Sequence, residues 1–260
     1  MPKVDIVVAS RARPFNMKRI MALLPEAKIF VDEREEKAYL KVVPKDQLVL
    51  HEPTETCNQM RRLQFSDTRF SDAMCSIDDD FSGITMLLGR RVRTIRDPES
   101  IVQIVTNGAN VARDIGSPLF CWSRKPHPGL LMAHNPINFV GPCAGAWGQV
   151  RPAGQRIMPD VLINNGGEDV DCTLQCLLND RIAYTDNRFY FMFGGVGEGR
   201  GGNQVSRTQE RELADQNFLL EKWPGCLDFG QRSNFGKKSV GGGRRMSINV
   251  SRKNTLVDKR

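Results

Sequence analysis

The chain has 260 residues, of which 40% are hydrophobic and 26% are charged, and its formal net charge is +7. This length suits one large domain, or one domain with a small appendage, that buries a sizeable core. No apolar run approaches the roughly 20 residues that cross a bilayer, and the N-terminus lacks the features of a signal peptide. The seven scattered cysteines favour a reducing compartment over a disulfide framework. We therefore expect a cytoplasmic protein that does not bind a membrane.

The positive charge is concentrated at the C-terminal end. Between residues 231 and 260, nine lysines and arginines accompany a single aspartate, so this segment carries a charge of +8 and the remainder is close to neutral. Basic arms of this kind commonly bind nucleic acid, although a solvated tail that only improves solubility has the same composition. Glycine, serine, lysine and arginine dominate from residue 230, which predicts poor order. The sequence thus divides into a folded domain over residues 1–229 and a basic tail over residues 230–260.

Short β-like runs alternate with amphipathic helical stretches in the first third of the chain. Strands are predicted at residues 4–9, 28–31, 47–50 and 73–77, and helices at residues 14–24, 35–43 and 55–65. The first run is apolar throughout, as expected of a strand that is buried on both faces. This alternation implies right-handed crossovers and a mostly parallel sheet with helices on both faces. The predicted fold class is α/β, with a Rossmann-like sheet.

The remainder of the chain has a less regular pattern. Helices are predicted at residues 98–115, 168–178 and 204–222, and short strands at residues 119–122, 137–140 and 188–193. A stretch rich in proline and glycine occupies residues 116–167. Glycines recur over residues 194–202, where Gly197-x-Gly199-x-x-Gly202 matches a dinucleotide fingerprint. The strand and helix that this fingerprint requires are absent around it, so we interpret the segment as a mobile loop that closes over a ligand.

Polar residues follow three of the predicted strands. In an open α/β sheet, ligands bind beyond the carboxyl ends of the strands. A set of arginines, a separate acid and an acidic triplet at that edge suits an anionic ligand that carries a divalent metal. The residues in question are Ser10, Arg11 and Arg13 after the first strand, Asp32 after the second, and Asp78, Asp79 and Asp80 after the fourth.

The acidic triplet is the sharpest of these signals. Three adjacent carboxylates repel one another, and their pKa values rise unless a cation neutralises them. In extended backbone Asp78 and Asp80 would point to one side and Asp79 to the other. Carboxylate oxygens suit Mg²⁺ or Mn²⁺. A solvated acidic turn is the alternative explanation.

A second acidic cluster, Glu168-Asp169-Val170-Asp171, follows two glycines at the start of a predicted helix. Carboxylates are favoured there by the helix dipole, so helix capping is one explanation. The functional interpretation is that Asp169, or Glu168, removes a proton from the hydroxyl group of an acceptor.

In their order and spacing, these motifs resemble the glycosyltransferases of the GT-A fold, whose marks are an Asp-x-Asp metal motif and a downstream Glu-Asp motif on the acceptor side. The resemblance spans residues 4–225 and implies a metal site at Asp78 and Asp80. It also implies an acceptor-side loop at residues 142–148 that contains Trp147, and an acid near the nucleoside at Asp32. The donor-binding residues that it implies are Ser10, Arg11, Arg13, Asp32, Asn58, Arg61, Arg62 and Asp79.

The chain is more narrowly similar to the TET/JBP-associated glycosyltransferases of bacteriophages, through its compact size, the triplet, the Gly-Gly-Glu-Asp stretch and Lys222-Trp223-Pro224. That resemblance implies a UDP-linked sugar as donor, Mn²⁺ or Mg²⁺ as cofactor and a hydroxymethylated pyrimidine in DNA as acceptor, in a bacterial or phage-infected cell. Many GT-A enzymes complete the metal site with a late histidine, whereas no histidine follows His134 here. Metal binding would then depend on the two aspartates, the donor phosphates and water.

Three arginines after the metal motif, Arg90, Arg91 and Arg93, either form a solvated face or hold a polyanionic acceptor near the site. Two other functions stay open. A sugar-nucleotide nucleotidyltransferase uses a similar sheet, but the first strand leads into Arg11-Ala12-Arg13 and not into a glycine-rich phosphate loop. The second is a nucleic-acid-binding protein whose catalytic site is inert. The sequence does not predict the oligomeric state.

Overall fold

A computed structural model of the chain describes residues 3–88, 91–123, 137–138, 145–150, 157–164, 166–194, 208–229 and 246–250. The strands are β1 (Val4–Ser10), β2 (Lys28–Asp32), β3 (Leu48–His51), β4 (Ala73–Asp78), β5 (Gly83–Leu88), β6 (Arg91–Ile95), β7 (Leu119–Ser123), β8 (Ile137–Asn138), β9 (Ala146–Val150), β10 (Tyr184–Met192), β11 (Leu227–Phe229) and β12 (Met246–Ile248). The helices are α1 (Met17–Leu23), α2 (Glu36–Tyr39), α3 (Cys57–Ser66), α4 (Pro98–Asp114), α5 (Glu168–Asn179) and α6 (Gln209–Lys222). In this part of the chain no helix is long and apolar enough to cross a membrane.

One large sheet has the strand order β3-β2-β1-β4-β9-β7-β10-β5-β6, with β8 paired to β10. From β3 to β10 the strands run in one direction except β9, which is antiparallel to both of its neighbours, β4 and β7. The prediction of a mostly parallel, Rossmann-like sheet is therefore confirmed. The hairpin of β5 and β6 extends this sheet with antiparallel pairs, which were not predicted from the sequence.

Helices cover both faces of the sheet, as predicted. Alternate residues of β1 point to opposite faces, so Ile6 and Val8 join one hydrophobic core and Val7 and Ala9 join another. The first core lies under α1 and α4, and its buried residues include Ile6, Val8, Met17, Ile20, Ile101, Val105 and Phe191. The second core lies under α3 and α5, and its buried residues include Val7, Ala9, Met60, Phe65, Trp147, Cys172 and Cys176. A third core between α5 and α6 is formed by Ile163, Val170, Leu174, Leu178, Leu219, Trp223, Cys226 and Leu227.

Local sequence fixes the starts of the two helices that border the candidate site. At α3, the Thr56 hydroxyl accepts from the Gln59 amide, and the Gln59 side chain accepts from the Thr56 amide, which is a capping box. At α5, Gly167 precedes the first turn with a φ of 95°. A Cβ atom at Gly167 would lie 2.5 Å from a methyl carbon of Leu219. Glycine is therefore required there by both backbone and packing.

Two predicted elements differ from the observed ones. The helix predicted at residues 35–43 is a 3-10 turn at Glu33–Glu35 followed by the single turn of α2. The segment at residues 142–148, expected to be a loop, contributes the start of β9 in the middle of the sheet. Gly148 fits between β4 and β7 because a Cβ atom there would overlap the ring of Phe120 and the Met74 carbonyl. A glycine in a strand thus indicates close packing here, whereas the sequence pattern suggested a loop.

Residues 246–250 belong to the C-terminal segment for which poor order was predicted, but they pack against other parts of the structure. Residues of β12 pair antiparallel with β11, and the amide of Asn249 donates to the Cys226 carbonyl at 2.8 Å. Ile248 and Val250 pack against both the second and the third core. Residues 246–250 therefore pack against the region that was predicted to form the folded domain, and the division of the chain at residue 229 stays a prediction.

Candidate functional site

The loop after β1 is fastened to the acidic triplet by a buried hydrogen-bonded network. Ser10 Oγ donates to Asp79 Oδ2 at 2.6 Å and lies 2.6 Å from the Tyr39 hydroxyl. The amide of Arg13 donates to that same hydroxyl at 3.1 Å, and Arg13 Nη1 lies 2.9 Å from Asp79 Oδ1. Between them Ala12 adopts a φ of 56°, a left-handed conformation that residues other than glycine seldom adopt. The network holds the loop at the carboxyl edge of the sheet.

Asp79 is the inward-facing member of the triplet. Burial raises its pKa, and the hydrogen bonds from Ser10 and Arg13 oppose that rise. Because its carboxylate accepts from both residues and its side chain is only 5% exposed, Asp79 braces the β1 loop and is poorly accessible for the direct donor contact that the family resemblance implied. Arg13 is likewise engaged by this carboxylate.

Asp78 is paired with a buried arginine of α3. Arg61 donates from Nη2 to Asp78 Oδ1 and from Nη1 to the Ser76 hydroxyl and to Gln64 Oε1. Burial lowers the pKa of Arg61, but the charges of Asp78, Cys57 and Glu168 outweigh burial and raise it overall. Arg61 therefore lies within electrostatic reach of both acidic motifs, although they are far apart in the sequence.

Glu168 lies at the first position of α5 and faces this arginine. Burial and the charge of Asp169 raise the pKa of Glu168 to about 7, while Arg61 lowers it. The adjacent Asp169 is half-buried and its Oδ1 accepts from the Val170 amide at 2.9 Å. Glu168 is thus a carboxyl group that titrates near neutral pH at the edge of the site.

Asp171 has a structural role. It is fully buried and accepts from the Trp223 indole, the Asp160 amide and the Lys222 ammonium, each at 2.8 Å. These contacts join α5 to α6 and to residues 157–164. The Lys222-Trp223-Pro224 stretch that contributed to the family resemblance is therefore explained in part by packing beneath α5.

Asp80 lies where the chain passes from β4 to β5. Burial and the charges of Asp78 and Asp79 raise the pKa of Asp80 to about 6. A Cβ atom on Gly194 would lie 3.1 Å from Asp80 Oδ2, so the end of β10 approaches this carboxylate closely. The backbone turns here, because the Phe81 amide donates to the Asp78 carbonyl. The strict alternation expected of extended backbone therefore stops at Asp78.

The predicted metal ion can be tested against these side chains. Within the described ranges, no group of three or more histidine, cysteine, aspartate or glutamate residues is arranged to hold a metal. Mg²⁺ and similar ions, however, are often bound by one or two carboxylates together with water and substrate phosphates. Burial and the neighbouring charges of Asp78 and Asp79 raise the pKa of Asp80, and a bound cation would favour its ionised form. Asp78 and Asp80 therefore fit a metal that is shared with a phosphate ligand.

The remaining donor-side predictions have mixed outcomes. Arg11 is partly exposed and its Nη1 donates to the Glu55 carbonyl at 3.0 Å, so it lies at the carboxyl edge of the sheet. Asp32 is buried, and its carboxylate accepts from the Arg34 guanidinium, the Arg34 amide and the Thr54 amide. It therefore holds the loops after β2 and β3 together, and a nucleoside would have to displace Arg34 to reach it.

Two residues of α3 donate hydrogen bonds to the backbone of residues 157–164. The side-chain amide of Asn58 donates to the Asp160 and Ile163 carbonyls at 2.6 Å each, and Arg62 donates to the Pro159 carbonyl. Asn58 is fully buried by these contacts and is not available to a donor, whereas the donor-binding role of Arg62 stays a prediction. Both residues stabilise a loop that borders α5.

The acceptor-side predictions are also changed by the structure. Trp147 is buried in β9 and its ring lies 4.5 Å from that of Phe65, so it belongs to the second core and cannot contact an acceptor. Arg91 and Arg93 are exposed on β6 at the sheet edge. Arg91 and Arg93 pair with Leu88 and Met86, whereas the acidic triplet is linked to the other end of β5 at Gly83, so these arginines lie towards the end of the hairpin that is farther from the triplet. Arg90 and residues 195–202 of the glycine-rich segment lie outside the described residues.

Three polar groups around the site were not predicted from the sequence. Tyr39 orders the β1 loop, and Ser76 and Gln64 hold the guanidinium of Arg61. For α3, the sequence contained a signal that could have indicated the buried polar groups. Asn58, Arg61 and Gln64 recur at helical spacing and are all buried on this helix.

The sequence matches no family model and no curated protein sequence. Among solved structures, the chain is similar to a CMP:2-keto-3-deoxy-manno-octonic acid synthetase complexed with CTP, at 12% identity over 83% of this chain and 99% of that chain, with a TM-score of 0.39. A likeness of this degree carries no argument about activity. The function is therefore inferred from the side chains at the carboxyl edge of the sheet.

Proposed function

We propose that the protein is a metal-dependent glycosyltransferase that moves a sugar from a UDP-linked donor to a hydroxyl group of an acceptor. One observation carries the proposal. Asp78 at the end of β4 forms an ion pair with the buried guanidinium of Arg61, and Glu168 at the start of α5 interacts electrostatically with the same guanidinium. The motif suited to a metal and the motif suited to a base thus flank one residue, at the edge where α/β sheets bind ligands.

The reaction needs a group that accepts a proton. A bond forms between the acceptor oxygen and the anomeric carbon, while the bond from that carbon to the phosphate oxygen breaks and its electron pair leaves with the diphosphate. Glu168 takes the proton of the acceptor hydroxyl. We assign this role to Glu168 in preference to Asp169, since a pKa of about 7 makes a carboxylate a stronger base that is still about half ionised at neutral pH.

The leaving diphosphate needs positive charge beside it. Asp78 and Asp80 would hold Mg²⁺ or Mn²⁺, which when bound offsets the charge of the departing diphosphate. Arg61 fixes the orientation of Asp78 from behind. Arg11, which is partly exposed on the loop after β1, supplies a further cation for the nucleotide.

For the acceptor we propose a hydroxymethylated pyrimidine, such as 5-hydroxymethylcytosine, in DNA. This part rests on the sequence resemblance and on the charge of +8 over residues 231–260. Phosphate contacts from such a segment strengthen binding without reading sequence. The modified base would leave the stack to reach Glu168.

The test is mass spectrometry of a DNA oligonucleotide that contains 5-hydroxymethylcytosine, incubated with Mn²⁺ and UDP-glucose, UDP-galactose or UDP-N-acetylglucosamine. Hexose added to the pyrimidine is the expected product, and an unmodified oligonucleotide of the same sequence is the control. A parallel reaction with CTP or UTP and a free sugar acid or sugar phosphate examines nucleotidyl transfer. Formation of a nucleotide sugar there, or absence of UDP binding by calorimetry in Mn²⁺, would overturn the proposal.

A further inference from the structure

Three aromatic residues follow one another in β10, and the middle one faces the site. Phe191 is buried in the first core and Phe189 packs against it. Because side chains alternate along a strand, Tyr190 points to the opposite face, on which α3 and α5 lie. There it is half-buried.

The strand that carries Tyr190 ends beside the acidic triplet. The amide and the hydroxyl of Ser82 donate to the Met192 carbonyl at 2.9 and 3.3 Å, so the link from β4 to β5 is tied to the end of β10. Asp80 lies on that link and next to Gly194. Burial and the charge of Asp80 raise the pKa of Tyr190, which indicates that the phenol and the carboxylate are near one another.

The hydroxyl of Tyr190 differs from those of the other two tyrosines. The Tyr39 hydroxyl bonds Ser10 and Arg13, and the Tyr184 hydroxyl donates to Asp186 at 3.3 Å. Within the residues described, no hydrogen bond joins the Tyr190 hydroxyl to a protein group. This hydroxyl is not enclosed by the protein, so it is accessible to a ligand, and phenylalanine would serve where only packing is needed. The neighbouring positions 189 and 191 are in fact phenylalanine.

We propose that Tyr190 recognises the donor sugar, with its hydroxyl hydrogen-bonded to a hydroxyl group of the transferred hexose beside Asp80. The inference rests on the proposed function. The loop after β1, where the nucleoside is proposed to bind, is held to Asp79, whereas the end of β10 that follows Tyr190 borders Asp80, so Tyr190 is assigned to the sugar side of the diphosphate. It is therefore a determinant of sugar selectivity and not of nucleotide selectivity.

Isothermal titration calorimetry in Mn²⁺ tests the inference with UDP and with the three UDP-hexoses named above. Tyr190→Phe should weaken binding of the hexose nucleotide that the wild type binds best by about three- to tenfold, the effect of removing one hydrogen bond, and leave UDP binding unchanged. The control is Tyr184→Phe, which removes a hydroxyl from the far end of the same strand and should alter neither affinity.

Three results would overturn the inference. Equal weakening of UDP and of the UDP-hexose would show a general disturbance of the site. Unchanged affinity of Tyr190→Phe for both ligands would show that the hydroxyl has no role in recognition. A wild type that binds UDP as tightly as every UDP-hexose would show that the sugar is not recognised. If the wild type binds neither UDP nor any UDP-hexose, the proposed function fails together with the inference, so the two failures are distinguishable.

Discussion

Arg61 binds Asp78 from the interior of the protein: the arginine side chain is 3% exposed, whereas the carboxylate that it binds is 42% exposed. The guanidinium thus orients an acid that remains open to ligand on its outer side. Lysine has a single ammonium group and cannot reproduce the bonds to Asp78, Ser76 and Gln64 together.

We therefore expect Arg61→Lys to reduce sugar transfer by about a hundredfold and to raise the Mn²⁺ concentration needed for half-maximal rate. The rate as a function of Mn²⁺ concentration measures both effects. The matched control is Arg62→Lys, on the same helix but bonded only to a loop carbonyl among the described residues. Wild-type Mn²⁺ dependence in Arg61→Lys would contradict the positioning role.

The metal assignment predicts that Asp78→Asn and Asp80→Ala each lose about a hundredfold or more in turnover while remaining folded, because asparagine keeps an oxygen for the buried Arg61 and Asp80 lies outside the cores. Steady-state kinetics with and without EDTA, together with circular dichroism, measure this. Asp72→Ala, an exposed acid just before the same strand, should behave as wild type. Full activity in excess EDTA would exclude the metal.

Glu168→Gln should reduce transfer at least about a hundredfold, and Asp169→Asn should reduce it much less, with UDP affinity preserved in both. Because the base must be ionised, wild-type kcat/KM should rise with pH and level off above about 7, the pKa of Glu168. The glutamine variant should lack this dependence. If Asp169→Asn is the more damaging change, the base is Asp169.

The raised pKa of Glu168 also predicts a pH effect on stability. A carboxyl group whose pKa is higher in the folded than in the unfolded state binds its proton more tightly when folded. Its contribution to stability is therefore present in acid and is lost as the pH rises from about 4.5 to about 7. Thermal unfolding at pH 8 should show a higher Tm for Glu168→Gln than for the wild type, and the difference should vanish near pH 4. A lower Tm at pH 8 would show that the charged form is stabilised in the fold.

For Asp32 we expect a pH effect on stability of the opposite sign. Hydrogen bonds from the Arg34 guanidinium outweigh burial and hold the pKa of Asp32 well below its usual range. Its contribution to stability is present above the unfolded pKa near 4 and is lost as the pH falls towards the folded value. Asp32→Ala should cost about 2 kcal/mol in urea unfolding at pH 7 and less at pH 3. Glu33→Ala, the exposed neighbour, should cost almost nothing at either pH, and equal destabilisation in the two variants would refute the role of Asp32.

The basic C-terminal segment can be tested without removing β12. Deletion of residues 251–260 takes away four lysines and arginines and leaves Ile248 and Val250 in place. If the segment binds DNA, the slope of log K against log salt should flatten by about 0.9 for each phosphate that is no longer neutralised, while UDP binding is unchanged. Deletion from residue 231 should in addition lower the stability by about 1–3 kcal/mol, because it removes Ile248 and Val250 from the cores. An unchanged salt slope in the shorter deletion would argue against a nucleic-acid arm.

The first half of the fold was accessible from the sequence because its strands are buried on both faces and appear as apolar runs. The elements that were missed carry mixed signals: β9 contains a glycine required by the Phe120 ring, and β6 is an edge strand rich in arginine. The acidic positions of the site followed from strand ends. Their partners did not, because Arg61, Tyr39 and Tyr190 acquire their roles only through pairing and helix packing.

Asp32 shows why a residue type at a strand end is an incomplete guide. An aspartate followed two residues later by an arginine can fold back on itself, with the arginine amide and guanidinium both donating to the carboxylate. The same arrangement occurs at Asp67 with Arg69 and at Asp186 with Arg188. An arginine two residues after an aspartate is thus a local sequence signal for a closed turn. This explanation competes with the interpretation of Asp32 as a ligand-binding acid.

The pairing of β11 with β12 has a consequence for biosynthesis. Domains form as the chain leaves the ribosome, N-terminal parts first, and β1 to β4 with their acidic edge can assemble early. The packing of Ile248 and Val250 against the third core, which also supports α5, has to wait until residue 250 has emerged. The helix that presents Glu168 would then receive these supporting contacts only after residue 250 has emerged, later than the acidic edge of the sheet forms.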